Sequence, residues 1–456
     1  MSEQLVAHRP WRVDAQWGLL LASGLLTALG LALSGQAAAL TFSAAQTAAL
    51  GCVCVRAVAG RRGWRSAELI VAVAWGLLFT VPCWLYSLDP GLLDVGTAAR
   101  ATLIVNIALI GYLLGLLLHP PSGPPAEGVI AVAPMQPLRG RLVAWWLLGL
   151  VALAALLLRH GNPLEYIAHL DRSAALNRGA FYLVAVALVM RFAALAWAAG
   201  RWSRGERLEP LAIVLAVAGT ALIALTGGRL FVAVALADFL LLYVLLRRPL
   251  RLRRIAPYVV AVGVLIVFGV GALKRYQGYN AAHPDARVGL AHYATRQAPS
   301  ELADAYANNY VDGVRLVAMA DSLVPRSAGW EGGRALLETA LKPLPRPVRP
   351  TLERQAVLHR AFEPTEQYAY AMPLIATAFL AGGILVVLFV SVGMGAIVGA
   401  LGRRLSSDTL SAAGVAVIVV TVVSFPSLMR AGLPAGAVSL LVDVIGMWVV
   451  ARTSLR

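Results

Sequence analysis

Apolar stretches of about twenty residues recur along this chain, each long enough to cross a hydrocarbon core roughly 30 Å thick. Twelve can be delimited, at approximately 16–34, 37–57, 68–87, 101–118, 142–158, 180–200, 209–226, 229–246, 256–273, 372–400, 410–427 and 432–451. Lipid offers no partner to a free backbone N–H or C=O, so such stretches must close their hydrogen bonds internally as helices. Their unbroken apolarity does not fit the alternation of a membrane barrel. With 59% of residues hydrophobic and 14% charged, an ordinary soluble domain is excluded. The expected fold class is an all-α polytopic membrane protein of about twelve transmembrane helices with one large helical outer loop.

The basic residues set the expected orientation. With the N-terminus inside, the inner short loops hold Arg56, Arg61, Arg62 and Arg65, then Arg139 and Arg141, Arg201, Arg204 and Arg207. They continue with Arg247, Arg248, Arg251, Arg253 and Arg254, and with Arg403 and Arg404; the tail carries Arg452 and Arg456. The outer short loops hold little beyond Arg100, Arg229 and Arg430, although 159–179 has three arginines. Both termini are thus expected in the cytoplasm. The net charge of +16 mostly reflects this sorting plus a basic outer loop, and with no basic soluble domain to carry it, nucleic acid is not an expected partner. The first apolar run, followed by SGQAAA, resembles a cleavable signal. It is longer than a usual signal core, and its removal would invert the charge pattern, so it reads as a retained span.

Three segments follow: 1–273 with nine spans, 274–371 as a long outer loop with short helices, and 372–456 with three spans. The loop's length makes it a functional candidate. Ser300, with Glu301 and Asp304 after it, suits a helix start. Leu302, Tyr306, Tyr310, Val314 and Leu323 recur at roughly helical spacing, toward the membrane or the bundle. A second short helix is expected over 334–341. The stretch PPSGPP at 120–125 reads as an inner linker. Cys52, Cys54 and Cys83 lie within spans as small apolar residues, and the loop has no cysteine. No carboxylate cluster such as DxD is present that would demand a metal, and no cofactor is expected.

Charges inside apolar spans are costly and mark functional candidates. Arg191, Asp238 and Asp443 are three such residues. Arg191 either pairs with an acid such as Asp238 and locks helix packing or contributes to a binding site; a proton relay is a further reading. Arg229 stands in the turn TGGR between the seventh and eighth spans. The two glycines permit a tight turn and close approach. The arginine then opens a helix whose dipole adds to its own charge. A lipid headgroup would satisfy that geometry, and so would a lipid-linked diphosphate. Lys274 and Arg275, in ALKRYQGY, end the ninth span at the same height. Arginine suits a diphosphate because its planar fork grips phosphate oxygens bidentately and stays charged.

A TG[S/G]R turn before a span, a second arginine outside the next outward span and one long late loop together resemble the bacterial Wzy-type polymerases of O-antigen and oligosaccharide repeat units. The loop stretch LVPRSAGWEGGRALLETALKPLPRPVRP adds the family's VP element, a glycine before a short helix and a Pro-Arg-rich segment, here LPRPVRP at 344–350. That segment lacks the family's usual tryptophan and lysine. The likeness covers roughly 220–385.

What the resemblance implies is a GT-C-type glycosyltransferase of the bacterial inner membrane. It would join polyprenyl-diphosphate-linked oligosaccharide units on the outer face, among membrane lipids, alongside a flippase and a chain-length regulator. Arg229 and Arg275 would stabilise the departing diphosphate, since fixed cations aimed at developing negative charge lower the barrier. Arginine cannot serve as base, so the acceptor's proton passes to another group or to water. His359, Glu331, Glu363 and Glu366 are candidates for that step or for holding substrate, though each also reads as a solvated residue. Lys274, Tyr276, Arg326, Arg334, Arg346 and Arg191 complete the candidate substrate contacts. A lipid-linked ligase of the same superfamily and a lipid-oligosaccharide flippase or transporter remain as alternatives.

Overall fold

The computed structural model describes residues 10–59, 66–89, 91–119, 130, 132–159, 181–225, 229–247, 313–324, 372–405 and 410–456, with 292, 330, 332, 337 and 341 singly. These residues are almost wholly helical; among them there is no strand, only two isolated bridges, Ala133 with Ser411 and Pro137 with Leu455. The helices are α1 (Pro10–Ala32), α2 (Gly35–Ala59), α3 (Ala67–Trp75), α4 (Val81–Leu88), α5 (Val95–Leu117), α6 (Arg139–Arg159), α7 (Phe181–Ala187) and α8 (Val189–Ser203). They continue with α9 (Pro210–Leu225), α10 (Arg229–Leu246), α11 (Gly313–Leu323), α12 (Leu374–Leu405), α13 (Ala412–Ala431) and α14 (Ala437–Ser454). Among the described residues, nine helical segments are long and apolar enough to cross a membrane. The shorter apolar helices α9 and α10 fall on the expected spans 209–226 and 229–246. The expected ninth span, 256–273, lies outside the described residues.

Contacts between helices define two ends, here the rim, where α5 begins, and the base, where it finishes. Gln36 and Ser43 of α2 meet Ser87 at the rim, while Arg56 donates to the carbonyls of Leu116 and His119 at the base. So α2 runs with α5, and α3 with α4 returns between them from Glu68, the ion partner of Arg56. Gly111 lies on Leu388 and Gly399 on His119, so α12 also runs from rim to base. α13 climbs back, bringing Gly432 against the Met372 carbonyl, and α14 descends. In the same way α6 rises from Arg141, bonded to the Thr453 carbonyl, and α8 descends until Gly200 meets Leu455. α9 rises from Glu209, paired with Arg139, and α10 descends from Arg229 to Leu245, whose carbonyl accepts from Ile130 N–H.

This alternation sorts the charges. Among the described residues, the base gathers Arg56, Arg139, Arg141, Arg201, Arg204, Arg207, Arg247, Arg403, Arg404, Arg452 and Arg456, whereas the rim carries Arg100, Arg159, Arg229 and Arg430. Among the described residues, the arginines of the helix ends are therefore concentrated at the base.

The most extensive helix pairing is that of α5 with α12. Its cause is the run GYLLG at 111–115 facing Ser391, Gly395 and Gly399. A Cβ at Gly111 would stand 3.0 Å from the Leu388 carbonyl oxygen and one at Gly115 2.7 Å from Ala396 N. Small residues let two backbones touch where lipid supplies no hydrophobic drive for association.

Two irregularities shape the half of the bundle nearer the rim. Between α3 and α4 a π-helical turn, Gly76–Thr80, precedes Pro82, which has no N–H to give the Leu78 carbonyl. Gly313, the first residue of α11, packs on that carbonyl, where a Cβ would come within 2.6 Å. α12 is broken at Gly382 and Gly383; Gly383 has φ 70°, a conformation that favours glycine. At about 1.5 Å per residue, 384–405 alone rises about 33 Å and suffices to span a membrane. Residues 374–381 are buried within the rim half of the bundle.

Candidate functional site

The rim assembles from separate parts of the chain. Arg229 opens α10 four positions after Leu225 closes α9, at the helix start expected from TGGR; its side chain lies outside what the structure describes. Apart from α10, α11 brings part of the long connection onto α5 and α12. Val314, Val317, Ala318 and Ala320 are buried, so the apolar face expected from Val314 turns toward the bundle. Asp321 accepts a 2.8 Å hydrogen bond from Arg100 Nη2 at the start of α5. Trp330, half exposed, sets its ring against Gly383 and edge-on to Phe379, with centroids 5.6 Å apart. The break in α12 is thus filled by an indole from the connection. Of the second expected loop helix, Leu337 and Leu341 are described, and both are helical.

Deeper in the bundle a charged cluster joins four helices. Arg191 of α8 donates through Nε to Asp238 Oδ2 of α10 at 2.6 Å, and its Nη2 makes a second contact with the same carboxylate. Its Nη1 lies 3.6 Å from Asp443 Oδ1 of α14. Asp443 Oδ2 accepts a 2.6 Å hydrogen bond from Ser424 of α13. The guanidinium also stands 5.4 Å from the centre of the Phe192 ring. Arg191, Asp238 and Asp443 are 3%, 0% and 6% exposed, so water screens none of them. In such surroundings removal of one partner from an ion pair costs about 3–5 kcal/mol, because it strands the other charge.

Arg191 therefore sits where its pairing reading placed it, on Asp238, with Asp443 as a third member. The remaining expected site residues, Lys274, Arg275, Tyr276, Arg326, Glu331, Arg334, Arg346, His359, Glu363 and Glu366, lie outside the described residues. Among the described residues no group of three or more His, Cys, Asp and Glu gathers as a metal site. Sequence reasoning missed Ser424, whose role depends on a neighbour nineteen positions away, and Trp330. It also missed the seam of α5 with α12, although the four-residue glycine spacing at 111 and 115 was a visible signal.

Helical spans, sorted basic ends and a buried charge cluster define the class: a polytopic α-helical membrane protein. Beyond that class the chain matches no protein-family model, no curated protein and no solved structure.

Proposed function

We propose that this protein joins polyprenyl-diphosphate-linked oligosaccharide units into a surface polysaccharide, as a GT-C-like glycosyltransferase. In this reading it has twelve spans, the ninth being 256–273, which links the base end of α10 to the rim end of α12. By the positive-inside trend, the arginine-rich base and both termini face the cytoplasm of a bacterial cell, and the rim and the 274–371 loop face outward.

The observation that carries the reading is that Arg229 heads α10 at the rim end of the bundle, the end at which Asp321 of the long loop's α11 meets Arg100. Helix N-terminus and guanidinium together favour a dianionic headgroup at the membrane surface. As the donor's glycosidic bond to diphosphate breaks, negative charge grows on the departing oxygen, and Arg229 with Arg275 stabilises it. A hydroxyl of the second lipid-linked unit attacks the anomeric carbon, and its proton leaves to a loop side chain or to water. A flippase and a chain-length regulator are the expected partners.

The test is polymerisation of purified lipid-linked repeat unit by wild type and by Arg229→Ala. Loss of polymer, with an unchanged melting temperature, supports the assignment; polymer formed at the wild-type rate refutes it.

A transporter is the second reading, favoured by the buried Arg191–Asp238–Asp443 cluster and the broken α12, since discontinuous helices and intramembrane charges line transport paths. Lipid-linked glycans extracted from a deletion strain separate the readings. Single units accumulated outside indicate a polymerase, free long polymer a ligase, and units trapped inside a flippase.

A further inference from the structure

We infer that the Arg191–Asp238–Asp443 cluster binds one exchangeable proton, carried between the two carboxylates. Charge balance within a closed pocket leads there. One guanidinium faces two carboxylates, all three side chains are at least nine-tenths buried, and the ionised set keeps one negative charge over. An uncompensated charge held away from water is strongly disfavoured. Other charged or titratable groups on the packed helices stand apart: Arg430 is exposed at the rim end of α13, Arg139, Arg141, Arg201 and Arg452 are at the base, and Tyr243 packs edge-on to Trp202. No second described cation reaches the pocket.

The hydrogen bonds leave room for that proton. Asp238 Oδ2 takes the Arg191 Nε bond and Asp443 Oδ2 takes the Ser424 hydroxyl. Asp238 Oδ1 and Asp443 Oδ1 accept no hydrogen bond from any described residue. Protonation turns one of these oxygens from an unpaired acceptor into a donor and makes the cluster neutral; the proton comes from water and returns to it. A proton fits better than a metal ion, because the guanidinium repels a second cation and two carboxylates give too few oxygens for a metal shell.

The contacts are also unequal. Arg191 holds Asp238 closely and Asp443 at 3.6 Å, so the two carboxylates are not equivalent partners of the guanidinium. Transfer of the proton to Asp238 frees the guanidinium to close on Asp443, and α10 and α14 exchange their hold on α8. A proton thereby becomes a ligand that selects between two packings. This inference does not depend on the glycosyl-transfer reading.

The test is infrared difference spectroscopy on the purified full-length protein in lipid, across a pH range, with Asp443→Asn and Asp238→Asn beside the wild type. The expected result is one buried carboxylic-acid C=O band in the wild type at neutral pH, removed at alkaline pH and absent from either variant. Each variant leaves one carboxylate for one guanidinium. Ser424→Ala, which keeps both acids, should shift that band in frequency. A wild type with no such band at any pH above the ordinary carboxylate range overturns the inference, as does a band that persists in both Asn variants. A melting temperature raised by sodium in a protein without the band likewise overturns it, in favour of a metal cation.

Discussion

Arg100 Nη2 donates to Asp321 Oδ1 at 2.8 Å across 221 residues of sequence, and so a helix of the long connection is pinned to the start of α5. The Arg100 side chain is 47% exposed and that of Asp321 11%, so solvent screens much of the attraction. A double-mutant cycle of Arg100→Ala with Asp321→Ala should give a coupling of about 1 kcal/mol or less, from denaturant unfolding in detergent. Limited proteolysis should cut near α11 faster in either single variant.

Removal of the charge at Arg191 should be far more damaging. Arg191→Met leaves the buried Asp238 and Asp443 without their cation and is expected to lower stability by about 3–5 kcal/mol. Purified protein should melt much lower or fail to accumulate in the membrane. Arg191→Met combined with Asp238→Asn should recover part of that loss. If the single variant melts with wild type, the pairing has no structural weight.

The seam of α5 with α12 predicts a contrast between glycines. Gly115→Ala drives a methyl into the α12 backbone and should destabilise by about 1–3 kcal/mol. Gly18→Ala, in α1 with open space around it, should be neutral or gain up to about 1 kcal/mol of helix propensity. Thermal melts of the two variants compare them directly.

Gly383 should tolerate no side chain. Its φ of 70° and the Trp330 ring, 2.8 Å from where a Cβ would stand, act together. Gly383→Val should dislodge Trp330 and expose it to aqueous quenchers, whereas Gly393→Val, where space is open, should leave indole quenching unchanged.

At the rim, the Asp94 carboxylate caps α5, and hydrogen bonds led by the Thr97 N–H hold it below the usual carboxylate range. A lowered value means that the cap's contribution is complete above the ordinary carboxylate range and is lost as pH falls through the lowered one. The protection factor of the Thr97 amide should fall only on that acid side, and Asp94→Ala should show the lowered protection at every pH.

Span positions were legible because lipid permits few solutions for an apolar run. The expected 209–226 and 229–246 became Pro210–Leu225 and Arg229–Leu246 almost unchanged. Arg191 was legible as a costly intramembrane charge, and Asp238 as its partner. Asp443 was visible as a charge but not as the third member, because its approach depends on how α14 packs beside α8, and hydropathy carries no packing order. The break at Gly382 and Gly383 was hidden for a similar reason. Glycines abound in the apolar runs, and only the surrounding packing decides which one bends. At the rim the helix start at Arg229 followed from local turn chemistry, while the seat of Trp330 required two segments of the chain to meet.

The glycine seam between α5 and α12 carries a consequence for biogenesis. When α5 leaves the ribosome, its mate lies more than two hundred residues away and has not been made. The narrow face around Gly111 and Gly115 must wait against acyl chains, or against a temporary companion such as an insertion chaperone, until the late helix arrives. Assembly of this bundle is then a closing event rather than a stepwise one, and a chain stalled before α12 would leave an open groove in the membrane for quality control to find.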